Sequence, residues 1–419
     1  MSNVTVSPCK LNGTVTVPPS KSDVHRAILC SALAKGKSVI SPVDMSQDIL
    51  ATIDCVQALG VAVTVKGNTI TVDGSGLFTS AGAAALCCRE SGSTLRFMIP
   101  IAGALGMTAT FNGKGRLPQR PIGIYLDCLP PKGVTCDTKG GLPLTITGTL
   151  QSGEYKIPGD ISSQFITGLL LALPLLKGDS QITLTSPPQS IGYINMTIDV
   201  MSKFGVAVIN TPNGYIIPGG QQYTPTNYTC EGDWSQAAFF LSGGALGGTV
   251  TVNGVGKNSL QGDKKCVEIL KAFGANVIEN DSSVTVSSDE LIATDIDATQ
   301  IPDLVPILAV TAAFAQGTTH ITGAERLRIK ESDRLQAISS ALNTVGAKVI
   351  EEPDGLTITG VDKITGGTVD GCNDHRIVMS MAISAVRTAK GIIISDKDSI
   401  NKSYPAFFTD YNQLGGKSE

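Results

Sequence analysis

One pattern recurs through these 419 residues with a period near 70, and any fold must accommodate it six times. A glycine able to stop a helix leads at once into a Thr/Val/Ile-rich strand at Gly36, Gly106, Gly178, Gly248, Gly317 and Gly391. The successive distances are 70, 72, 70, 69 and 74 residues. Glycine suits the left-handed position just past a helix, and β-branched residues suit a pleated strand. A second marker keeps the same period: Gly60, Gly133, Gly205, Gly274 and Gly346 each enter an alternating hairpin pattern. Two independent markers with one period predict a unit of helix, strand, helix and hairpin, repeated six times. The sixth copy runs out after Leu414-Gly415-Gly416, while 4–6 and 13–17 alternate as strands ahead of the first helix. Residues 1–17 are therefore expected to complete the sixth unit and close the fold on itself.

The first copy, 18–36, sets the chemical theme. Pro19 pre-sets an extended entry, Ser20 or Ser22 can cap, and Val24, Ala27, Ile28 and Ala32 supply a buried face. Between cap and apolar run stand Lys21, Asp23, His25 and Arg26. A composition break at 218–227, rich in Pro, Gly and Gln, separates copies three and four. Two domains are expected: 18–227 with copies one to three, and 228–419 with 1–17 carrying copies four to six.

Composition excludes several functional classes. Only 16% of residues are charged, net charge is −4 and aromatics are 5%, so no basic, aromatic face for nucleic acid is expected. The longest apolar run, 165–176, is too short to span a bilayer and contains Pro174. The start shows neither a basic-then-apolar nor an Arg/Ser-rich pattern, so a cytoplasmic protein is expected. Ten cysteines without a CxxC pair read as reduced thiols, and three histidines with no metal-spaced cluster predict no metal site.

The helix starts of the six copies gather polar residues: 20–26, 90–96, 160–164, 232–236, 301–303 and 373–376. Capping accounts for their Ser, Asp and Asn residues, and Asp233 is read that way. It does not account for Lys21, Arg26, Arg96 and Arg376, because cations oppose the positive end of a helix dipole. Cations beside bare N–H groups fit an anionic partner such as a phosphate or carboxylate. Arg120, Lys402 and the run 326–334 add further cations, and Glu331 and Asp333 lie among them. A carboxylate held among cations near a second one, such as Asp303, suits proton transfer around a charged substrate.

Seven motifs occur in order: Pro-Pro-Ser-Lys-Ser-x-x-x-Arg, Ser-Gly-Ser-Thr-x-Arg, Arg-Pro-Ile, Ser-Ser-Gln-Phe, Ile-Pro-Asp, Ile-Lys-Glu-Ser-Asp-Arg and Asn-Asp-His-Arg. Together they span essentially the whole chain, which resembles the 5-enolpyruvylshikimate-3-phosphate synthase family of enolpyruvyl transferases. The resemblance implies an α/β fold of two similar domains, each of three βαβαββ units arranged like an inside-out barrel, with the active site in the cleft between them. The N-terminal strands would complete the C-terminal domain.

It also implies transfer of the enolpyruvyl group from phosphoenolpyruvate to the 5-hydroxyl of shikimate 3-phosphate by addition and elimination, without cofactor. The protein would be a monomer with no nucleic-acid or membrane partner. By motif, shikimate 3-phosphate would be held by Lys21, Ser22, Arg26, Ser162, Ser163, Gln164, Ser190, Tyr193, Asp303, Arg326 and Lys330. Phosphoenolpyruvate would be held by Lys21, Gly92, Arg120, Gln164, Arg334, Arg376 and Lys402. The catalytic groups would be Lys21, Asp303 and Glu331: Asp303 accepting the hydroxyl proton, Glu331 exchanging one with the methylene carbon, Lys21 neutralising the leaving phosphate.

Two rivals are disfavoured by residues. The sister transferases acting on UDP-N-acetylglucosamine carry Lys-Asn at the Lys21-Ser22 position and a reactive cysteine near Arg120, and 111–120 contain none. RNA-binding proteins on related repeats lack support from charge and aromatics. One departure stands out: Glu90 occupies a place where many members carry Asn, and so does Arg326. A carboxylate beside bound phosphoenolpyruvate needs to face solvent or be paired, and Arg326 or Arg328 is its expected partner.

Overall fold

A computed structural model describes residues 2–78, 82–288 and 290–419. Twelve α-helices lie among the described residues: α1 (Lys21–Leu33), α2 (Gln47–Ala58), α3 (Gly92–Ala104), α4 (Gly123–Cys128), α5 (Ser163–Ala172) and α6 (Ile191–Lys203), then α7 (Trp234–Gly247), α8 (Cys266–Ala272), α9 (Val305–Ala312), α10 (Arg334–Thr344), α11 (His375–Ser384) and α12 (Phe407–Gln413). The odd-numbered helices are apolar on nearly every face. In α7 every residue from Trp234 to Leu246 is buried, as an all-round apolar pattern requires.

Five sheets share one strand order. In the third repeat, Gly153–Ile157 runs parallel to Ser180–Leu184, and Gly214–Ile217 and Ile209–Thr211 follow as an antiparallel hairpin. Parallel neighbours need a crossover, which α5 provides; antiparallel neighbours need only a tight turn. The five four-stranded repeats are therefore βαβαββ.

The chain divides into two compact units: Pro19–Cys230, the N-unit, and Glu231–Glu419 with Met1–Pro18, the C-unit. Each is built of three open sheets around its own apolar core.

The expectation for residues 1–17 is corrected in its second half. Val4–Val6 pairs with Ile392–Ile394 in the sixth sheet, and Thr5 exchanges backbone bonds of 2.8 and 2.9 Å with Glu419. The hairpin position of that sheet is thus filled from both ends of the sequence. Asn12–Thr16 goes elsewhere, lying parallel to Thr249–Asn253 as the edge strand of the fourth sheet. The reason is topological: α7 needs a parallel strand on its N-terminal side, and the nearest upstream strand, Asn227–Thr229, is already paired with Lys37–Ser41. Each unit closes by giving its first sheet a strand from its opposite end. The stretch 218–227 is correspondingly anchored, with Tyr223 buried and donating to the Leu171 carbonyl at 2.9 Å.

Candidate active site

In the N-unit the helix starts of α1, α3, α5 and α6 carry the expected binding residues. Ser20 sits at the N-cap of α1 without a side-chain capping bond, so neither expected serine cap forms there. Lys21 Nζ donates to Asp48 Oδ2 of α2 at 2.9 Å. Arg26 is buried and donates to four neutral oxygens: Ser22 O at 2.6 Å, Thr197 Oγ1 at 2.8 Å, Tyr193 O at 3.0 Å and Thr167 Oγ1 at 3.4 Å. Burial pulls its guanidinium down to about 10, opposed by the nearby carboxylate of Asp23. Ser22, Arg26 and Tyr193 are thereby brought to one place. Ser190, at the N-cap of α6, holds φ at 55°, a strained value for a residue with a side chain.

Ser162 caps α5, its hydroxyl accepting from Gln164 N at 3.3 Å; Ser163 beside it is buried. The Gln164 amide is locked between Ser93 Oγ at 2.9 Å and Arg96 Nη1 at 2.5 Å, and Arg96 also donates to Pro121 O at 2.9 Å. Arg96, read from sequence as an anion ligand, therefore fixes the orientation of Gln164. Gly92 lies under Arg120: an added β-carbon would stand 2.7 Å from the Arg120 Nη1. The glycine admits that guanidinium to the start of α3.

In the C-unit the expected residues converge on one carboxylate. Asp303 takes Arg334 Nη1 at 2.8 Å, Lys330 Nζ at 3.5 Å and Arg376 Nη2 at 3.6 Å, while its backbone carbonyl takes Arg376 Nη1 at 2.9 Å. Burial works against ionisation, but Arg376, Lys330 and Arg334 outweigh it and hold Asp303 well below the usual carboxylate range. Arg334 is buried and serves three acids at once, adding Glu331 Oε2 at 2.6 Å and Asp374 Oδ2 at 2.8 Å. Burial brings Lys330 down to about 8, with Asp303 pulling the other way. Lys402 Nζ donates to Asn373 O at 2.6 Å, next to the Asp374 cap of α11. Arg326 is held to the Thr299 carbonyl at 2.7 Å.

Arg328, one of the expected partners of Glu90, has acceptors within its own unit. Arg328 is taken within the C-unit by Glu351 at 2.7 Å, Asp333 at 3.1 Å and the carbonyls of Glu352 and Pro353. Glu90 folds over Gly115, where an added β-carbon would be 2.5 Å from its Oε2.

Sequence reasoning missed three carboxylates. Asp48 lies mid-pattern at the start of α2, and Asp374 stands inside a quoted motif yet is the fully buried partner of Arg334 and Ser332. Asp263, bonded by Ser235, is pushed up to about 6 by burial, with Asp303 adding to the effect and Arg376 opposing it. Only Asp374 carried a signal, its place two residues before Arg376.

The chain matches the family model for EPSP synthase (3-phosphoshikimate 1-carboxyvinyltransferase) over residues 6–411. It is 45% identical over 419 residues to a 3-phosphoshikimate 1-carboxyvinyltransferase of Clostridium perfringens (strain ATCC 13124), covering 99% of each chain. The enzyme of that description from Clostridioides difficile (strain 630) is 41% identical over 431 residues, covering 100% of this chain and 98% of that one. A solved EPSP synthase structure from Acinetobacter baumannii matches with a TM-score of 0.85 at 28% identity, over 100% of both chains.

Proposed function

The chain belongs to the EPSP synthase family, and from that premise we infer that it transfers the enolpyruvyl group of phosphoenolpyruvate to the 5-hydroxyl of shikimate 3-phosphate, releasing phosphate. The observation that carries this reading is Asp303, a carboxylate ringed by Arg334, Lys330 and Arg376.

Both reactants are anions, so their repulsion must be offset before chemistry begins. We assign shikimate 3-phosphate to Lys21, Ser22, Arg26, Ser162, Ser163, Gln164, Ser190, Tyr193, Arg326 and Lys330. Phosphoenolpyruvate is assigned to Lys21, Gly92, Arg120, Gln164, Arg334, Arg376 and Lys402. The 5-hydroxyl oxygen adds to the substituted carbon of the enol; Asp303 takes the hydroxyl proton and Glu331 delivers one to the methylene. Elimination gives a methyl proton to Glu331 and expels phosphate, which carries off the proton held by Asp303 and whose charge Lys21 offsets.

In the free protein Asp303 is too strongly paired to be a good base. Substrate anions draw on the same cations, weakening their hold on Asp303 and raising its proton affinity where it is needed. Alignment of the two reactants contributes on the order of 7–11 kcal/mol at best. We further infer a cytoplasmic monomer.

The test is phosphate release from phosphoenolpyruvate with each acceptor. Release with shikimate 3-phosphate and none with UDP-N-acetylglucosamine is expected; the reverse would assign the chain to the sister reaction.

A further inference from the structure

A line of four buried side chains crosses the first three helices of the N-unit. His25 Nδ1 on α1 meets Thr52 Oγ1 on α2 at 2.7 Å. Thr52 Oγ1 meets Thr94 Oγ1 on α3 at 2.8 Å, and Thr94 Oγ1 donates to Ser91 Oγ at 2.8 Å. Ser91 is the N-cap of α3 and also accepts from Thr94 N at 3.2 Å.

Proton counting gives the line a direction. A hydroxyl has one proton, so Thr94, donating to Ser91, can only accept from Thr52. Thr52 then can only accept from His25, whose Nδ1 must carry hydrogen. The other ring nitrogen agrees: Nε2 is buried without a partner among the described residues. A bare lone pair is tolerated there better than an orphaned N–H donor. Burial first, then Lys21 and Arg26, drive the His25 pKa well below its ordinary value, so the ring stays neutral and its tautomer is not disturbed by working pH.

The line ends where phosphoenolpyruvate is assigned. The first turn of α3 holds Gly92 under Arg120 and Ser93 on Gln164, while α1 holds Lys21 and Arg26. We propose that His25, fixed as its Nδ1–H tautomer, is a positioning residue that acts through Thr52 and Thr94 on Ser91 to set the first turn of α3 for phosphoenolpyruvate. This rests on the functional reading above for its ligand.

Three histidines make the spectroscopy tractable: selective 15N-histidine labelling of the full chain, with His25→Asn assigning the signal. The expected spectrum has Nδ1 in the protonated, pyrrole-type range and Nε2 in the bare, pyridine-type range; the opposite tautomer overturns the proposal. In kinetics, His25→Leu and the isosteric Thr52→Val should each raise the KM for phosphoenolpyruvate about five- to tenfold, with the KM for shikimate 3-phosphate within about twofold. His25→Asn, which keeps a nitrogen donor at the same bond distance from Cβ, should recover most of the loss. A KM for phosphoenolpyruvate unmoved by Thr52→Val, or both KM values and kcat degraded alike, overturns the positioning role. Should the parent protein release no phosphate from this substrate pair, the functional reading falls instead, and the tautomer still decides whether the line exists.

Discussion

Two buried arginines of the N-unit and the Arg334 cluster of the C-unit are held in opposite ways. In the N-unit, Arg26 and Arg96 donate to hydroxyls, carbonyls and an amide: Thr197, Tyr193 O, Ser22 O, Gln164 and Pro121 O. In the C-unit, Arg334 is spread over Asp303, Glu331 and Asp374, and Lys330 and Arg376 share the first of these. Neutral partners orient a guanidinium without cancelling its charge, which suits capture of an anion. Acid partners cancel the charge and leave carboxylates whose proton affinity depends on what else the cations touch, which suits proton transfer. One repeat, used six times, thus supports two kinds of electrostatics, decided by which residues sit at the helix starts.

The strongest way to break this division is to neutralise the acids of the C-unit. Asp303→Asn and Glu331→Gln are each expected to lower kcat by roughly 10²–10⁴, the usual worth of a positioned proton-transfer group. Direct titration should show both substrates still binding. If turnover falls less than about tenfold, below that range, the proton-transfer roles lie elsewhere.

Next in size is the contrast between Arg334 and Arg26. Arg334→Met strands Asp374, which is fully buried, beside Asp303 and Glu331. Breaking a buried ionic cluster from one side costs about 3–5 kcal/mol, measurable by urea unfolding. Arg26→Met leaves neutral acceptors behind, with the nearby Asp23 still bonded by Tyr228 Oη at 2.7 Å, and should cost about 1–3 kcal/mol in the same experiment, while raising the KM for shikimate 3-phosphate steeply. Equal stability losses for the two variants would erase the distinction between the units.

Much of the fold was legible because its markers are local. A helix-ending glycine and the strand after it lie within a few residues, so a period near 70 shows on inspection. The exchange of Asn12–Thr16 into the fourth sheet was not legible, because strand partnering is decided by competition between distant segments. The site divides in the same way. Lys21, Arg26, Asp303 and Glu331 stand in polar clusters that an apolar helix cannot explain. Thr52 and Thr197 are single hydroxyls inside helices, where a polar residue usually means nothing, and Arg328 looked available because, besides Asp333, its partners lie in a hairpin more than twenty residues on. Arg96 shared the pattern of Arg26 but turned to a side chain from the next repeat.

The smallest expected effect is a pH dependence that separates Lys330 from its arginine neighbours. Burial brings Lys330 down to about 8 from the ordinary lysine value of 10.5, so it loses charge just above neutrality while Arg334 does not. Two consequences have opposite signs. Above about pH 8 the free enzyme offers one cation fewer, so kcat/KM for shikimate 3-phosphate should fall, by up to about tenfold for a charge-assisted contact. The kcat should stay level, because the bound phosphate keeps the lysine protonated. For stability the unfolded chain holds this proton up to about 10.5 and the folded chain only to about 8. The unfolded state therefore binds more protons in that window, and this group makes the unliganded protein more stable as pH rises. Lys330→Arg, charged throughout, should flatten the alkaline limb of kcat/KM and remove that stability increment. A limb unchanged in the arginine variant would assign the titration to another group and place Lys330 with the cations that merely hold Asp303.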